Sequence, residues 1–194
     1  MTVPFARPAV AAPRVAILVV AAGCAVLTAR PLLLAAAGIG PGPLFGTLFA
    51  ALLAVSVLWP APAVRGTEVS RGAPILPVLG VGIAAFAVGR LVLTGSPPPA
   101  PATALVIGLN TLAAVAEEAF FRRLVYGALL ASGPAVAVGG SAVLFAAVHI
   151  TVYGWWVLPL DLAAGMLFGW QRRATGSWGV PAVTHAVANL MVVL

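Results

Sequence analysis

Lysine is absent from this 194-residue chain, and the acidic side chains number only four. Charged residues make up 7% of the sequence and hydrophobic residues 62%, with a mean hydropathy of +1.14. Ordinary soluble domains carry about 25% charged and roughly 45–50% apolar residues, so a soluble globular domain is excluded. The composition predicts a polytopic membrane protein that lies in the lipid bilayer.

The single cysteine, Cys24, excludes an internal disulfide and a CxxC metal or redox site. The ten basic residues are all arginines, and they stand singly or in pairs between apolar blocks. No basic stripe is present that could follow a phosphate backbone, so a nucleic-acid partner is not expected. Scattered charges of this kind are typical of the loops that orient a membrane protein.

Seven apolar blocks are long enough to cross a bilayer, since a transmembrane helix needs roughly 17–25 residues. They predict an all-α transmembrane bundle of about seven helices. Small residues are expected where these helices approach closely, although they predict no particular oligomeric state. The blocks fall near residues 13–35, 43–60, 74–94, 102–131, 134–151, 155–171 and 178–194. The candidate packing residues are Gly82, Gly139, Gly140, Gly165 and Gly169.

The placement of arginines predicts how the bundle is oriented. With the N-terminus inside the cell, six arginines fall on inner loops or tails, and two, Arg30 and Arg90, lie towards outer helix ends. The positive-inside rule therefore predicts N-in and C-out for a multi-pass protein of the cell (plasma) membrane. The six inner arginines are Arg7, Arg14, Arg65, Arg71, Arg172 and Arg173.

A small set of polar residues lies inside the predicted spans and includes both histidines and three of the four acids. An ionised group at membrane depth costs roughly 2.5–3.5 kcal/mol on insertion scales, so it persists where it is paired, lines a wet cavity or performs chemistry. Acid and imidazole together are the ingredients of proton transfer. The set comprises Asn110, Glu117, Glu118, Arg122, His149, Asp161, Thr184, His185 and Asn189.

Glu117 and Glu118 are adjacent, but their surroundings on the helix differ. Glu118 and Arg122 are spaced i,i+4 with the acid first, which is the favourable order for a helical ion pair. Glu117 points about 100° away around the helix and is left free, which makes it the candidate general base. In the structural alternative, both glutamates belong to one ion-pair cluster with Arg122 and Arg123.

A helical hairpin would bring Glu117 level with His149. If the turn lies at Gly133, each of the two residues is sixteen positions from it. That separation is roughly 24 Å along each helix at about 1.5 Å per residue. An acid–imidazole contact across the hairpin is therefore expected, with Phe145 packed beside His149 at i−4.

His185 and Asn189 are also spaced i,i+4, so the last helix presents an imidazole and a carboxamide on one stripe. Two convergent hydrogen-bond donors are what a developing oxyanion needs. The structural alternative for both residues is hydrogen bonding between helices.

Three motifs thus occur in order on separate predicted helices. They are Glu117-Glu118-x-x-x-Arg122, Phe145-x-x-x-His149 and His185-x-x-x-Asn189. Together they resemble the motifs of the CPBP family, which includes the type II CAAX prenyl endopeptidases and the Abi proteins. The resemblance divides the chain into N-terminal transmembrane helices in residues 1–101, which carry no motif, and a catalytic core in residues 102–194. Asp161 lies outside the motifs and could pair with an arginine or polarise either histidine.

The resemblance implies an intramembrane endopeptidase that hydrolyses a peptide bond of a membrane-associated peptide or protein, with no cofactor. Glu117 and His149 would activate water, and His185 and Asn189 would form the oxyanion hole. The supporting residues of the first motif would be Glu118 and Arg122.

Two alternatives remain open. A zinc-dependent form of the same hydrolysis would use Glu117, His149 and His185 as ligands with water in the fourth position, although the chain has no HExxH motif. A non-catalytic immunity or scaffold protein would retain the same residues only as contacts between helices. A proton-coupled carrier is not favoured, because no repeat relates the two halves of the chain.

Overall fold

Seven helices make up the described part of the chain, which comprises residues 13–36, 41–60, 72–92 and 103–193 of a computed structural model. No strand occurs in these ranges, so the all-α prediction is confirmed. Each predicted block contains one helix, with ends that differ by at most four residues. The helices are α1 (Pro13–Ala36), α2 (Pro41–Leu58), α3 (Ile75–Val92), α4 (Ala104–Ser132), α5 (Pro134–Tyr153), α6 (Leu158–Thr175) and α7 (Gly179–Val193).

Four of these helices, α1, α3, α4 and α5, are long and apolar enough to cross a membrane. Helices α2 and α7 are apolar but shorter. Helix α6 carries Asp161 near its start and the pair Arg172 and Arg173 in its last turn, which make it more polar than the others. The chain is therefore a multi-pass membrane protein.

The orientation of the bundle, N-in and C-out, stays a prediction. Three of the arginines that support it, Arg7, Arg65 and Arg71, lie outside the described residues. The predicted boundary between residues 101 and 102 also lies outside them.

The hairpin between α4 and α5 has the turn that the sequence predicts. Gly133 follows α4 with a φ of 108°, a backbone conformation that glycine adopts without a Cβ clash. Pro134 then opens α5 at its first turn, where the missing N–H costs no helical hydrogen bond. At the other end of α4, the hydroxyl of Thr103 accepts a hydrogen bond from the backbone N–H of Val106 at 3.3 Å.

Helix α4 contains a π-helical segment, Ala119–Val125, directly after the two glutamates. Hydrogen bonds in such a segment run from i to i+5, and single π-helical turns inside α-helices are frequent at functional sites. Arg172 of α6 donates from its Nε to the backbone carbonyl of Arg122 within the segment, at 3.1 Å. The apolar block predicts an unbroken α-helix here, so the π-helical turns differ from the prediction.

Helix α4 is the centre of the bundle and packs against α2, α5 and α7. In its apolar span 44% of the residues are buried inside the protein, compared with 11% in α1. The buried ring of Phe121 on α4 meets the buried ring of Phe145 on α5 edge to face, with centroids 5.4 Å apart. The two glutamates of α4 are therefore buried inside the bundle.

Helices α5 and α6 pack closely because glycines leave room between them. A Cβ on Gly165 would lie 2.9 Å from the backbone of α5. A Cβ on Gly82, Gly140 or Gly169 would likewise meet an atom of a neighbouring helix, so the packing role predicted for these four glycines is confirmed. The prediction is wrong for Gly139, since a Cβ there has no atom within 4 Å.

Candidate active site

A polar cavity of about 390 Å³ lies where α1, α4, α5, α6 and α7 meet. All four residues that the sequence predicts to be catalytic line it. They are Glu117, His149, His185 and Asn189. The other polar residues of its wall are Arg30, Asn110, Tyr153 and Asp161. The structure therefore brings the predicted residues to one place, and their catalytic roles stay predictions.

Glu117 has two neighbours from two different helices. Its Oε1 accepts a hydrogen bond from Nη1 of Arg30 on α1 at 3.1 Å, and its Oε2 lies 3.7 Å from Nε2 of His149 on α5. The acid–imidazole approach across the hairpin is as the residue spacing predicts. The interpretation of Glu117 as a free carboxylate is wrong, because an arginine outside its own helix pairs with it.

Arg30 and Tyr153 are polar residues of the cavity wall that sequence reasoning missed, and Arg30 is the one that contacts Glu117. From the distribution of arginines we predict that Arg30 lies towards an outer helix end. In the structure its side chain is buried, and only 5% of its surface is exposed. A signal for its role exists in the sequence, since Arg30 lies within the apolar span Val15–Ala36 and not beside it. An arginine at such a position requires a partner inside the protein.

His149 is fixed through its Nδ1 atom. Nδ1 lies 2.7 Å from the backbone carbonyl oxygen of Phe145, whose ring packs against the imidazole with centroids 4.6 Å apart. A carbonyl oxygen only accepts, so we infer that Nδ1 carries a hydrogen and that Nε2 is the ring nitrogen that faces Glu117. Asp161 of α6 is the second neighbour, with its Oδ2 3.6 Å from Nδ1.

Glu118 is held on both of its carboxylate oxygens. Oε2 lies 3.0 Å from Nε of Arg122, which confirms the ion pair predicted from the i,i+4 spacing, and Oε1 lies 3.0 Å from Nδ1 of His185 on α7. Arg122 is fully buried, donates to the hydroxyl of Ser141 at 3.1 Å and faces the ring of Phe145 at 5.2 Å from the centroid. Glu118 thus links the first motif to the last helix.

The alternative of a single ion-pair cluster is wrong. Arg123 points to α2, where it donates to the backbone carbonyls of Ser56 and Trp59. The two glutamates have separate cations, Arg30 for Glu117 and Arg122 for Glu118.

His185 and Asn189 both turn towards the polar cavity. Because Nδ1 of His185 contacts a carboxylate, the opposite edge of the ring, with Nε2, is left for other partners. Nδ2 of Asn189 donates to the backbone carbonyl of Asn110 at 3.3 Å, and the same amide group has a second N–H. Two hydrogen-bond donors can therefore be directed into the polar cavity from α7 when the imidazole is doubly protonated.

The residues proposed as zinc ligands do not fit a metal site. Within the ranges that the structure describes, no group of three or more His, Cys, Asp or Glu side chains is placed to hold a metal ion. Glu117 faces a guanidinium cation on Arg30, and His185 is bound through Nδ1 to Glu118. We therefore assign no step of the chemistry to zinc.

A second, apolar cavity of about 440 Å³ lies between α3, α6 and α7. It adjoins the polar cavity at Asp161 and Val192, which line both. Although it is larger, its wall holds none of the four predicted catalytic residues. The polar cavity is therefore the candidate active site.

The fold and the polar cavity define a polytopic helical membrane protein with a buried acid–imidazole site. Residues 99–191 match the model of a protein family described as type II CAAX prenyl endopeptidase Rce1-like. This match agrees with the resemblance to the CPBP motifs, and it supports a CAAX-type intramembrane protease at the family level. Neither a curated protein nor a solved structure matches the chain.

Proposed function

We propose that the protein is an intramembrane endopeptidase in which Glu117 and His149 activate a water molecule. The observation that carries this proposal is the 3.7 Å separation between Oε2 of Glu117 and Nε2 of His149. Oε2 accepts hydrogen bonds, and so does Nε2 when the ring hydrogen is on Nδ1, so the two atoms need a donor between them. A single water molecule can reach both at hydrogen-bonding distance and donate one hydrogen to each.

The hydrolysis then needs no further group to generate the nucleophile. The water oxygen forms a bond to the carbonyl carbon of the substrate as one of its protons passes to Glu117. That proton is returned to the amide nitrogen as the carbon–nitrogen bond breaks, which releases an amine and a carboxylic acid. His149 holds the water through its Nε2 and shares the charge that develops during the transfer.

His185 and Asn189 are suited to stabilise the oxyanion that forms on the substrate carbonyl. The second N–H of Asn189 supports one donor position, and the outward edge of His185 supports another. When its imidazole is doubly protonated, His185 contacts Glu118 through Nδ1 and donates to the oxyanion through Nε2. Donors fixed before the reaction act strongly in an enclosed site, because they need no reorganisation when the charge develops.

The substrate is proposed to be a membrane-associated peptide or protein. The apolar cavity lies beside the polar cavity, so an apolar group of the substrate can occupy the first while the scissile bond enters the second. The cell (plasma) membrane is the proposed location, and the cleaved bond is proposed to lie near the C-terminus of the substrate.

The test is peptide cleavage by the purified full-length protein in proteoliposomes. The probe is an internally quenched peptide that ends in a prenylated Cys-aliphatic-aliphatic-X sequence, compared with the same peptide without the lipid. Glu117→Gln, which keeps the shape and removes the base, is expected to lower kcat by about 100- to 10,000-fold. Arg173→Met, which removes an exposed arginine of α6 away from the polar cavity, serves as the matched control.

The two peptides and two variants give separable outcomes. Cleavage of both peptides by the wild-type protein shows an endopeptidase that does not depend on the prenyl group. Wild-type kcat in Glu117→Gln would refute the water-activation mechanism. A folded wild-type protein that cleaves neither peptide favours the alternative of a non-catalytic immunity or scaffold protein.

A further inference from the structure

Helix α1 contributes to the polar cavity although it lies outside the family-matched residues 99–191. Its contribution is the guanidinium of Arg30, whose Nη1 contacts Oε1 of Glu117 at 3.1 Å. A buried arginine at membrane depth is costly, so such a residue is retained where it is paired and has a role. Glu118 does not compete for Arg30, since both of its oxygens already have partners.

Two contacts fix α1 against the helices that carry Glu117 and His149. The hydroxyl of Thr151 on α5 donates to the backbone carbonyl of Thr28 at 2.9 Å, so this bond lies two residues from His149 and two residues from Arg30. Gly23 allows α1 to approach α4, because a Cβ at this position would collide with a phenylalanine ring of α4. The position of Arg30 is therefore determined by packing on both catalytic helices.

We propose that Arg30 is a positioning residue of the hydrolytic site, an inference that rests on the proposed function. Arg30 occupies Oε1 of Glu117, and Oε2 is thereby turned towards Nε2 of His149. The terminal torsion of a glutamate is broad, so a carboxylate without this partner samples other orientations. In those orientations one water molecule no longer reaches both acceptors. Helix α1 is then a component of the catalytic apparatus as well as a membrane span.

The experiment compares Arg30→Met and Arg30→Lys with the wild-type protein in the full-length chain. The probe is the quenched peptide of the preceding section that the wild-type protein cleaves. Arg30→Met is expected to lower kcat by about 100-fold, because misplacement of a reacting group by about 1 Å has an effect of this size. KM is expected to stay within about twofold, since Arg30 is assigned to the carboxylate and not to the substrate. Arg30→Lys retains the charge and is expected to recover part of the lost kcat.

Folding and chemistry are separated by controls. Thermal unfolding in detergent shows whether each variant is folded, and Arg173→Met shows the effect of removing an arginine elsewhere. If Arg30→Met does not fold, Arg30→Gln, which is polar but shorter and uncharged, is judged by the same kcat criterion. Equal loss in Arg30→Lys and Arg30→Met, with a raised KM in both, would overturn the positioning role.

Glu117→Gln, measured beside these variants, distinguishes failure of this inference from failure of the mechanism. An inactive Glu117→Gln together with wild-type kcat in Arg30→Met would overturn the role of Arg30 alone. Wild-type kcat in both variants would overturn the hydrolytic mechanism itself. The double variant Arg30→Met with Glu117→Gln is expected to have the same kcat as Glu117→Gln alone. Arg30 acts through the carboxylate of Glu117, so its loss has no further effect once that carboxylate is removed.

Discussion

Arg122→Met is expected to destabilise the bundle strongly, because Arg122 and Glu118 form a fully buried ion pair at 3.0 Å. Neither side chain is exposed, so the replacement leaves a carboxylate without its guanidinium in an apolar environment. Removing one partner of a buried pair costs roughly 3–5 kcal/mol. His185 still contacts Glu118 at 3.0 Å, and for this reason we expect the lower end of that range, about 3 kcal/mol.

The assay is thermal unfolding of the purified protein in detergent, followed by the near-ultraviolet circular dichroism of its five tryptophans. For a chain of this size, each kcal/mol shifts Tm by about 2–4 °C, so Tm is expected to fall by about 6–12 °C. Arg173→Met is the matched control, because Arg173 is exposed on α6. Its Tm is expected to stay within about 2 °C of the wild-type value.

The double variant Glu118→Gln with Arg122→Met tests the electrostatic reasoning. It removes both charges, and replacing a whole buried pair is often neutral, so a part of the lost Tm should return. If Tm falls in the double variant by as much as in Arg122→Met or more, the destabilisation comes from packing around Phe145 and not from the uncompensated carboxylate. Wild-type Tm in Arg122→Met would refute the assignment of Arg122 as a buried partner of Glu118.

The remaining predictions concern the chemistry of the polar cavity. Asn189→Ala is expected to lower kcat by about 100- to 1000-fold with little change in Tm, because one oxyanion donor is lost. Asn189→Asp is expected to be as inactive as Asn189→Ala, since an ionised carboxylate has no N–H to donate. Wild-type kcat in either variant would contradict the oxyanion role. Activity is also expected to persist after treatment with a strong chelator, as measured by peptide cleavage alongside metal analysis. Loss of activity that zinc restores would instead favour Glu117, His149 and His185 as ligands.

Much of the architecture follows from local properties of the sequence. The spans follow from hydropathy, and the pair Glu118–Arg122 follows from the helical repeat alone. The approach of Glu117 to His149 is predictable because only one tight turn separates their helices, so the rise per residue fixes which positions are level.

The pairing of Arg30 with Glu117 has a different origin. It joins residues 87 positions apart and depends on how α1 packs against α4 and α5, which no local repeat records. The π-helical segment Ala119–Val125 is equally hidden, because its apolar residues and arginines fit an ordinary α-helix. Sequence reasoning therefore finds contacts within a helix or a single hairpin and misses those set by packing between distant helices.

The difference between the two adjacent glutamates lies in their partners and not in their residue type or burial. The oxygens of Glu118 lie beside Arg122 and His185, and Glu118 does not line the polar cavity, so it is not placed to accept a proton from water there. Glu117 is held by Arg30 through one oxygen only, and its other oxygen faces His149 across a gap that suits a water molecule. Of two buried carboxylates on one helix, the one that lines the polar cavity and has a single fixed oxygen is thus the one suited to act as the base.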